Sequence, residues 1–259
     1  MEAYGLSLEK TLFCGQCFRW KREADGSFSG IAGGRRGRFS QPSLGAIEQD
    51  PFWRGYFDLS TDYGAFCGKI ERAAPSLAES VRACRGLRIL RQDPWEALCT
   101  FILSQNIHIP RIRGIVERLC ERFGAPIPGG GFSFPAPQAL AGCSVEELAP
   151  LRAGFRAKYV LDAARRVAAG EIDFDTLRAL PLENARAKLE EICGVGPKVA
   201  DCTLLYGLHR LDAFPVDVWV RRALAAYLPG ADPKEFGEAA GLLQQVLFVR
   251  IRAENGRSG

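Results

Sequence analysis

The chain has 259 residues, 47% of them apolar and 25% charged, with a net charge of +4. This describes an ordinary globular protein able to bury a sizeable core in one large or two modest domains. The charge is too small to establish a nucleic-acid partner, and no run of 18 apolar residues offers a membrane span.

The N-terminus lacks a basic segment followed by an apolar one, so no secretory signal is expected and the chain reads as intracellular. Arginines cluster at Arg35, Arg36 and Arg38, at Arg82, Arg85, Arg88 and Arg91, and at Arg111 and Arg113; each cluster also reads as a solvated face. Nine cysteines form an odd set, mostly inside apolar helical patterns, as reduced small hydrophobes do in a reducing compartment. Cys14-Gly-Gln-Cys17 is the only C-x-x-C, and His108 and His209 are the only histidines. A zinc site needs a second pair or two well-spaced histidines, so no metal is expected.

In chain order, residues 1 to about 60 carry strand signals and no helical ones. Cys17 to Arg22, a turn at Asp25-Gly26, Ser27 to Ala32 and Gly37 to Ser40 predict a small antiparallel sheet. From Asp62 the period becomes helical, through Tyr63 to Arg72 and Leu77 to Cys84. The fold class is therefore α+β, an N-terminal antiparallel β-sheet domain over residues 1–88 followed by an all-helical bundle over 89–259.

Asp93-Pro94 reads as N-cap and first position of a helix ending at Ser104-Gln105-Asn106. A second helix runs from Pro110 to Gly124, with Ile112, Ile115, Val116, Leu119, Cys120 and Phe123 on its apolar face. Residues 125–137 form a Pro/Gly-rich loop, Ser144 and Glu147 a capping box opening a short helix, and Phe155 to Gly170 a longer helix ended by glycine. Helices are also expected over Leu182 to Cys193, Pro197 to Gly207 and Val218 to Leu228, and a last one from Asp232-Pro233 to about Arg250. Ala253 to Gly259 reads as a frayed tail.

The stretch Gly194-Val195-Gly196-Pro197-Lys198 carries the chemistry. Two glycines in three residues suit a turn with close backbone approach, and Pro197 suits the first position of a helix. Free backbone N–H groups at that turn make an anion site. Lys198 stands beside them among apolar neighbours, a setting that favours a nucleophilic amine. A plain helix-hairpin-helix phosphate clamp fits the same residues. Asp217, nineteen positions on and just before the apolar-periodic Val218 to Leu228, reads equally as an N-cap.

Gly-Val-Gly-Pro-Lys-Val-Ala-Asp-Cys followed by Pro-Val-Asp resembles the helix-hairpin-helix, Gly/Pro…Asp superfamily of DNA glycosylases, and the lysine-bearing form is similar to its 8-oxoguanine branch. Four further stretches carry the resemblance: Cys14-Gly15-Gln-Cys-Phe-Arg-Trp20, Ser104-Gln-Asn106 with Arg111, Gly154-Phe155-Arg156-Ala-Lys-Tyr, and Gln244-Gln-Val-Leu-Phe248. It implies an antiparallel β-domain plus a helical bundle, a monomer acting on double-stranded DNA containing 8-oxoguanine, and no cofactor. Lys198 and Asp217 are then catalytic, Gly15, Cys202, Gln244 and Phe248 form the base pocket, and Gly194, Val195 and Gly196 meet a DNA phosphate. Asn106 fills the hole left by an extruded base, Phe155 wedges beside it, and Arg111 and Arg156 take the estranged partner base.

Ile107 and His108 depart from the animal enzymes' further asparagines, and Trp219 and Ile251 from their histidine–aspartate pair. No cysteine follows Cys202, which disfavours the iron–sulfur branch. A same-fold glycosylase for alkylated purines and a non-catalytic helix-hairpin-helix DNA-binding module are the rival readings.

Overall fold

The computed structural model describes residues 5–41 and 44–256. The expected frayed tail lies partly outside them, at 257–259. The N-terminal unit opens with α1 (Leu8–Leu12), capped by Ser7. A three-stranded antiparallel sheet follows, β1 (Trp20–Arg22), β2 (Phe28–Ala32) and β3 (Arg35–Phe39), ordered β1-β2-β3. Trp20 lies opposite Gly30, and its ring fills the space a side chain there would need. Buried to 2% exposure, Trp20 donates from its indole to Tyr56 Oη at 2.9 Å and packs among Phe39, Trp53 and Phe57.

The sheet was expected, but the same segment also holds helices. Besides α1 there are α2 (Gly45–Gln49) and α3 (Pro51–Tyr56). Asp50 caps α3 by accepting from the N–H of Phe52 and Trp53, with Pro51 at the first position. Helices of five or six residues are too short to show a helical period, so composition read them as strand and turn.

The helical unit comprises α4 (Tyr63–Ala73), α5 (Ala78–Ala83), α6 (Pro94–Leu103), α7 (Ile109–Phe123), α8 (Pro137–Ala141), α9 (Arg156–Ala168), α10 (Phe174–Ala179), α11 (Leu182–Glu190), α12 (Pro197–Tyr206), α13 (Val218–Tyr227) and α14 (Ala240–Glu254). At its centre is α6. Every residue from Trp95 to Leu103 is buried, as befits a helix apolar on all sides, and it packs against α9 and α12. Among the described residues no helix is long and apolar enough to cross a membrane.

Two apolar cores form, and each draws residues from both sides of residue 88. Tyr63, Cys67, Ile70, Leu77 and Val81 contribute to the large helical core, and α4 and α5 pack against α14. The small core is built around Trp20, Phe39, Trp53 and Phe57 and includes Leu90, while Cys14 and Phe18 join the large one. Two expected helices also differ. Ser144 and Glu147 do form the reciprocal capping hydrogen bonds, but turns and a 3-10 segment (Ala149–Leu151) follow them. Pro150 can supply no amide to continue a helix. The last helix is broken into a 3-10 segment (Pro233–Ala239) and α14 by Gly237, whose φ of 51° and ψ of −131° lie outside helical space.

Candidate active site

The hairpin turn joins α11 to α12. Gly194 takes φ +78°, and a Cβ there would stand 2.4 Å from the Tyr159 ring, so this glycine is required by the fold itself. Gly196 is different: its backbone is extended and nothing lies within 4 Å of where a Cβ would be. The N–H groups of Gly194, Gly196 and Lys198 make no hydrogen bond among the described residues. The hairpin therefore sets unpaired donors beside the positive end of α12.

Lys198, at the second position of α12, leans inward so that Nζ lies 4.9 Å from the centre of the Phe101 ring. Cys202 and Tyr206 follow at intervals of four on the same helix face, and all three line one pocket. Phe101, from the end of α6, stacks on Tyr206 with ring centres 5.2 Å apart. Asp217 enters the pocket from the start of α13. Its Oδ1 also accepts from the N–H of Trp219 at 2.9 Å and Val220 at 2.8 Å, so the carboxylate is cap and pocket wall at once. Gln244, Gln245 and Phe248 on α14, with Cys14, Gly15 and Pro215, complete the lining.

The thiols in this pocket are protonated. Burial pushes Cys14 up to about 12, and burial pushes Cys202 up to about 11 against the opposing pull of Lys198. They serve as small apolar walls of the pocket.

Gly15 adopts φ +91°, and a Cβ there would meet the edge of Phe248 at 3.5 Å. Its peptide is held by Gln16, a fully buried side chain that sequence reasoning passed over. Gln16 Nε2 donates to the carbonyls of Thr11 and Arg88, both at 2.8 Å, while its Oε1 accepts from Leu90 N–H at 2.9 Å. Gln92 Nε2 donates to the Gln16 carbonyl at 2.7 Å. The small core and the helical unit are stitched together at the residue beside Gly15.

A second group of residues lies along the mouth of the hairpin. Asn106 is exposed and left-handed, with φ 54°. The preceding Gln105 donates from Nε2 to the Gly194 carbonyl at 3.1 Å. Phe155 is 51% exposed at the start of α9, edge-on to Tyr159, the residue beneath Gly194. Arg111 is exposed on α7. Arg156 was expected beside it as a reader of the partner base, but it is only 4% exposed. Its guanidinium donates to the carbonyls of Gln105 and Ala153 and lies 4.4 Å from the Phe155 ring.

Of the departures noted in the sequence, Ile251 is buried within α14, and Trp219 lies in the first turn of α13 with Arg222 5.3 Å from its ring. Phe101, Tyr206 and Gln245 are further pocket residues that sequence reasoning missed. The signal for Tyr206 was its spacing of four and eight from Cys202 and Lys198; Phe101 and Gln245 carried none.

A lysine at the head of the second hairpin helix and an aspartate capping the next helix, turned into one pocket, define the class: a helix-hairpin-helix DNA-repair fold. Residues 1–98 match the family described as 8-oxoguanine DNA glycosylase, N-terminal domain, and residues 99–240 match the HhH-GPD superfamily of base excision DNA repair proteins. The chain belongs to this HhH-GPD superfamily, with the N-terminal domain of its 8-oxoguanine glycosylase branch.

A probable N-glycosylase/DNA lyase of Methanothermobacter thermautotrophicus is 32% identical over 229 residues, covering 76% of this chain and 72% of that protein. The N-glycosylase/DNA lyase OGG1 of Arabidopsis thaliana is 31% identical, covering 94% and 77%. Among solved structures, the Clostridium acetobutylicum 8-oxoguanine glycosylase/lyase in complex with double-stranded DNA containing cytosine opposite 8-oxoG superposes with a TM-score of 0.84 at 32% identity, covering 96% of this chain and 93% of that one.

Proposed function

We propose that the protein is a bifunctional base-excision-repair enzyme, acting inside the cell, that flips 8-oxoguanine out of duplex DNA, excises it, preferably opposite cytosine, and nicks the abasic site. The observation that carries this reading is the convergence of Lys198 and Asp217 on one pocket with Gly15, Cys202, Gln244 and Phe248.

A base inside a duplex is out of reach, so it must leave the stack before chemistry. Unpaired N–H groups at Gly194 and Gly196, with Val195 between them, meet a DNA phosphate at the hairpin. Asn106 enters the vacated space, Phe155 wedges beside it, and Arg111 meets the partner base. The extruded base enters between Phe248 and Cys202, where Gln244 meets its Watson–Crick edge and the Gly15 carbonyl its N7–H.

The unprotonated Lys198 amine attacks C1′, the glycosidic bond breaks, and the base leaves with its bonding electrons and takes up a proton. Loss of the amine proton and ring opening give an imine between Nζ and C1′, through which β-elimination expels the 3′ phosphate. Asp217, negatively charged and fixed by its two backbone donors, stabilises the positive charge that develops on the sugar. No cofactor enters these steps.

The test is incubation with duplexes bearing 8-oxoguanine, 3-methyladenine or no lesion, followed by borohydride trapping. Excision and a trapped adduct with 8-oxoguanine support the reading. Excision of 3-methyladenine alone would assign the site to alkylated purines, and binding without chemistry would make the protein a DNA-binding module.

A further inference from the structure

Behind Gln244 stand two side chains without an assigned part, Tyr206 on α12 and Gln245 on α14. Each is 2% exposed, and both line the pocket. The three form a closed ring of hydrogen bonds. Tyr206 Oη donates to Gln244 Oε1 at 3.1 Å, and Gln245 Nε2 donates to the same oxygen at 3.1 Å. Gln245 Nε2 also donates to Tyr206 Oη. Both acceptor sites of Gln244 Oε1 are thereby taken, whereas its Nε2 makes no hydrogen bond among the described residues.

An amide oxygen and nitrogen are nearly equal in size, so the sense of such a ring is decided by what each sense leaves over. The present sense leaves one buried oxygen, Gln245 Oε1, without a partner. With every member reversed, Gln245 Nε2 would take that buried place and bring two N–H groups that need acceptors there. Orphaned N–H groups are rarer in proteins than under-used carbonyls, and each carries its full desolvation cost. The ring therefore holds Gln244 with its oxygen inward and its donors toward the pocket.

We propose that Tyr206 and Gln245 are positioning residues that fix Gln244 as a hydrogen-bond donor to the flipped base, so that the pocket takes purines with a carbonyl at C6 and turns away those with an amino group there. This rests on the reading of the protein as an 8-oxopurine glycosylase. The C6 oxygen of a guanine-type base accepts from Gln244 Nε2, whereas the 6-amino group of an adenine-type base sets donor against donor.

The test compares single-turnover excision of 8-oxoguanine, 8-oxohypoxanthine and 8-oxoadenine, each opposite cytosine. 8-Oxohypoxanthine keeps the C6 oxygen and lacks only the 2-amino group, so wild-type protein handles it within tenfold of 8-oxoguanine and handles 8-oxoadenine far more slowly. The double variant Tyr206→Phe/Gln245→Met keeps the ring stacked on Phe101 and frees the Gln244 amide to turn. Its ratio of 8-oxoguanine to 8-oxoadenine rates falls more than tenfold.

Both rates come from one preparation, so any loss of active protein cancels in that ratio. Gln245→Glu, which sets acceptors beside Gln244 Oε1 and drives its nitrogen inward, lowers the ratio further. A ratio that stays within tenfold of wild type in both variants overturns the inference, as does 8-oxohypoxanthine handled as poorly as 8-oxoadenine. Either result beside intact 8-oxoguanine excision sinks the inference alone; absence of 8-oxoguanine excision by the wild type sinks the functional reading with it.

Discussion

Arg156 holds the residue before Asn106: its Nε donates to the Gln105 carbonyl at 2.7 Å, and a second guanidinium nitrogen donates to the same oxygen. Gln105 in turn reaches the hairpin carbonyl of Gly194. The left-handed turn at Asn106, the hairpin and the start of α9 are thus tied together by hydrogen bonds. Two arginines that look alike in sequence have different surroundings, because Arg156 is buried against main-chain carbonyls while Arg111 remains exposed.

The two arginines are therefore expected to fail differently. Arg111→Ala relaxes discrimination between partner bases by about 1–3 kcal/mol, the worth of a base-edge contact. Arg156→Ala lowers excision opposite all four bases by similar factors and lowers the melting temperature, because it unties the Asn106 turn and leaves two carbonyls short of a donor. Single-turnover rates opposite each base, with thermal melts of both variants, check this. Selective loss opposite cytosine in Arg156→Ala would mean that its guanidinium leaves Gln105 when DNA binds and reads the base.

Lys198→Gln replaces an amine with an amide of similar reach. The variant is expected to bind lesion DNA and to give no borohydride-trapped adduct, since an amide cannot form an imine. Because Lys198 sits over Phe101 and beside Cys202, the side chain can be exchanged without opening the core. Trapping that persists would move the nucleophile to another residue.

Asp217→Asn separates the two duties of that side chain. Asparagine keeps an oxygen to accept from Trp219 and Val220, so the melting temperature should hold within a few degrees. The negative charge is lost, and excision should slow by about a hundredfold or more if the charge stabilises the sugar cation. Unchanged excision would leave Asp217 as a helix cap and nothing else.

The hairpin was legible because its determinants are local: paired glycines, a proline at the helix start, and Lys198 and Cys202 four residues apart on one face. Asp217 was legible for the same reason. Gln16 was not, since what makes it matter is a set of hydrogen bonds to residues more than seventy positions away. The Arg156 contact with Gln105 was not legible either, because sequence shows the guanidinium but not the bend that brings Gln105 beneath it. The short helices α1 to α3 and the break at Gly237 escaped because fewer than two turns carry no period, and one glycine inside an apolar pattern does not announce its φ.

Stability should carry a pH signature from Glu96 on α6. Its buried carboxyl is pushed up to about 7 by burial, against the opposing pull of Arg19 and with a smaller push from Asp93. An unfolded glutamate titrates near 4.5, so as pH rises from there the unfolded chain releases a proton that the folded chain keeps. The contribution of Glu96 to stability is therefore full below about 4.5 and is lost as pH passes 7. Glu96→Gln has no such titration, and its stability relative to wild type should rise by about 1–3 kcal/mol between pH 5 and pH 8. Urea unfolding of both proteins at the two pH values measures this; a constant difference would mean that the carboxylate is ionised throughout.

The lesion differs from guanine at N7 as well as C8, since N7 is an acceptor in guanine and carries a hydrogen in 8-oxoguanine. A carbonyl at Gly15 distinguishes the two by accepting from the lesion and facing a lone pair in guanine, at about 1–3 kcal/mol for the contact. The obvious substitution is a poor probe, because Gly15 has φ +91° and alanine would be strained there whatever the pocket holds. Changing the substrate avoids that difficulty. 7-Deaza-8-oxoguanine keeps the C8 oxygen and replaces N7–H with C–H, and it should be excised about ten- to a hundredfold more slowly than 8-oxoguanine in the same duplex. Gln16→Leu, which cuts the ties of the adjoining side chain to Arg88 and Leu90, should reduce that gap while slowing excision of both bases. Equal rates for the two bases in the wild type would place the discrimination elsewhere in the pocket.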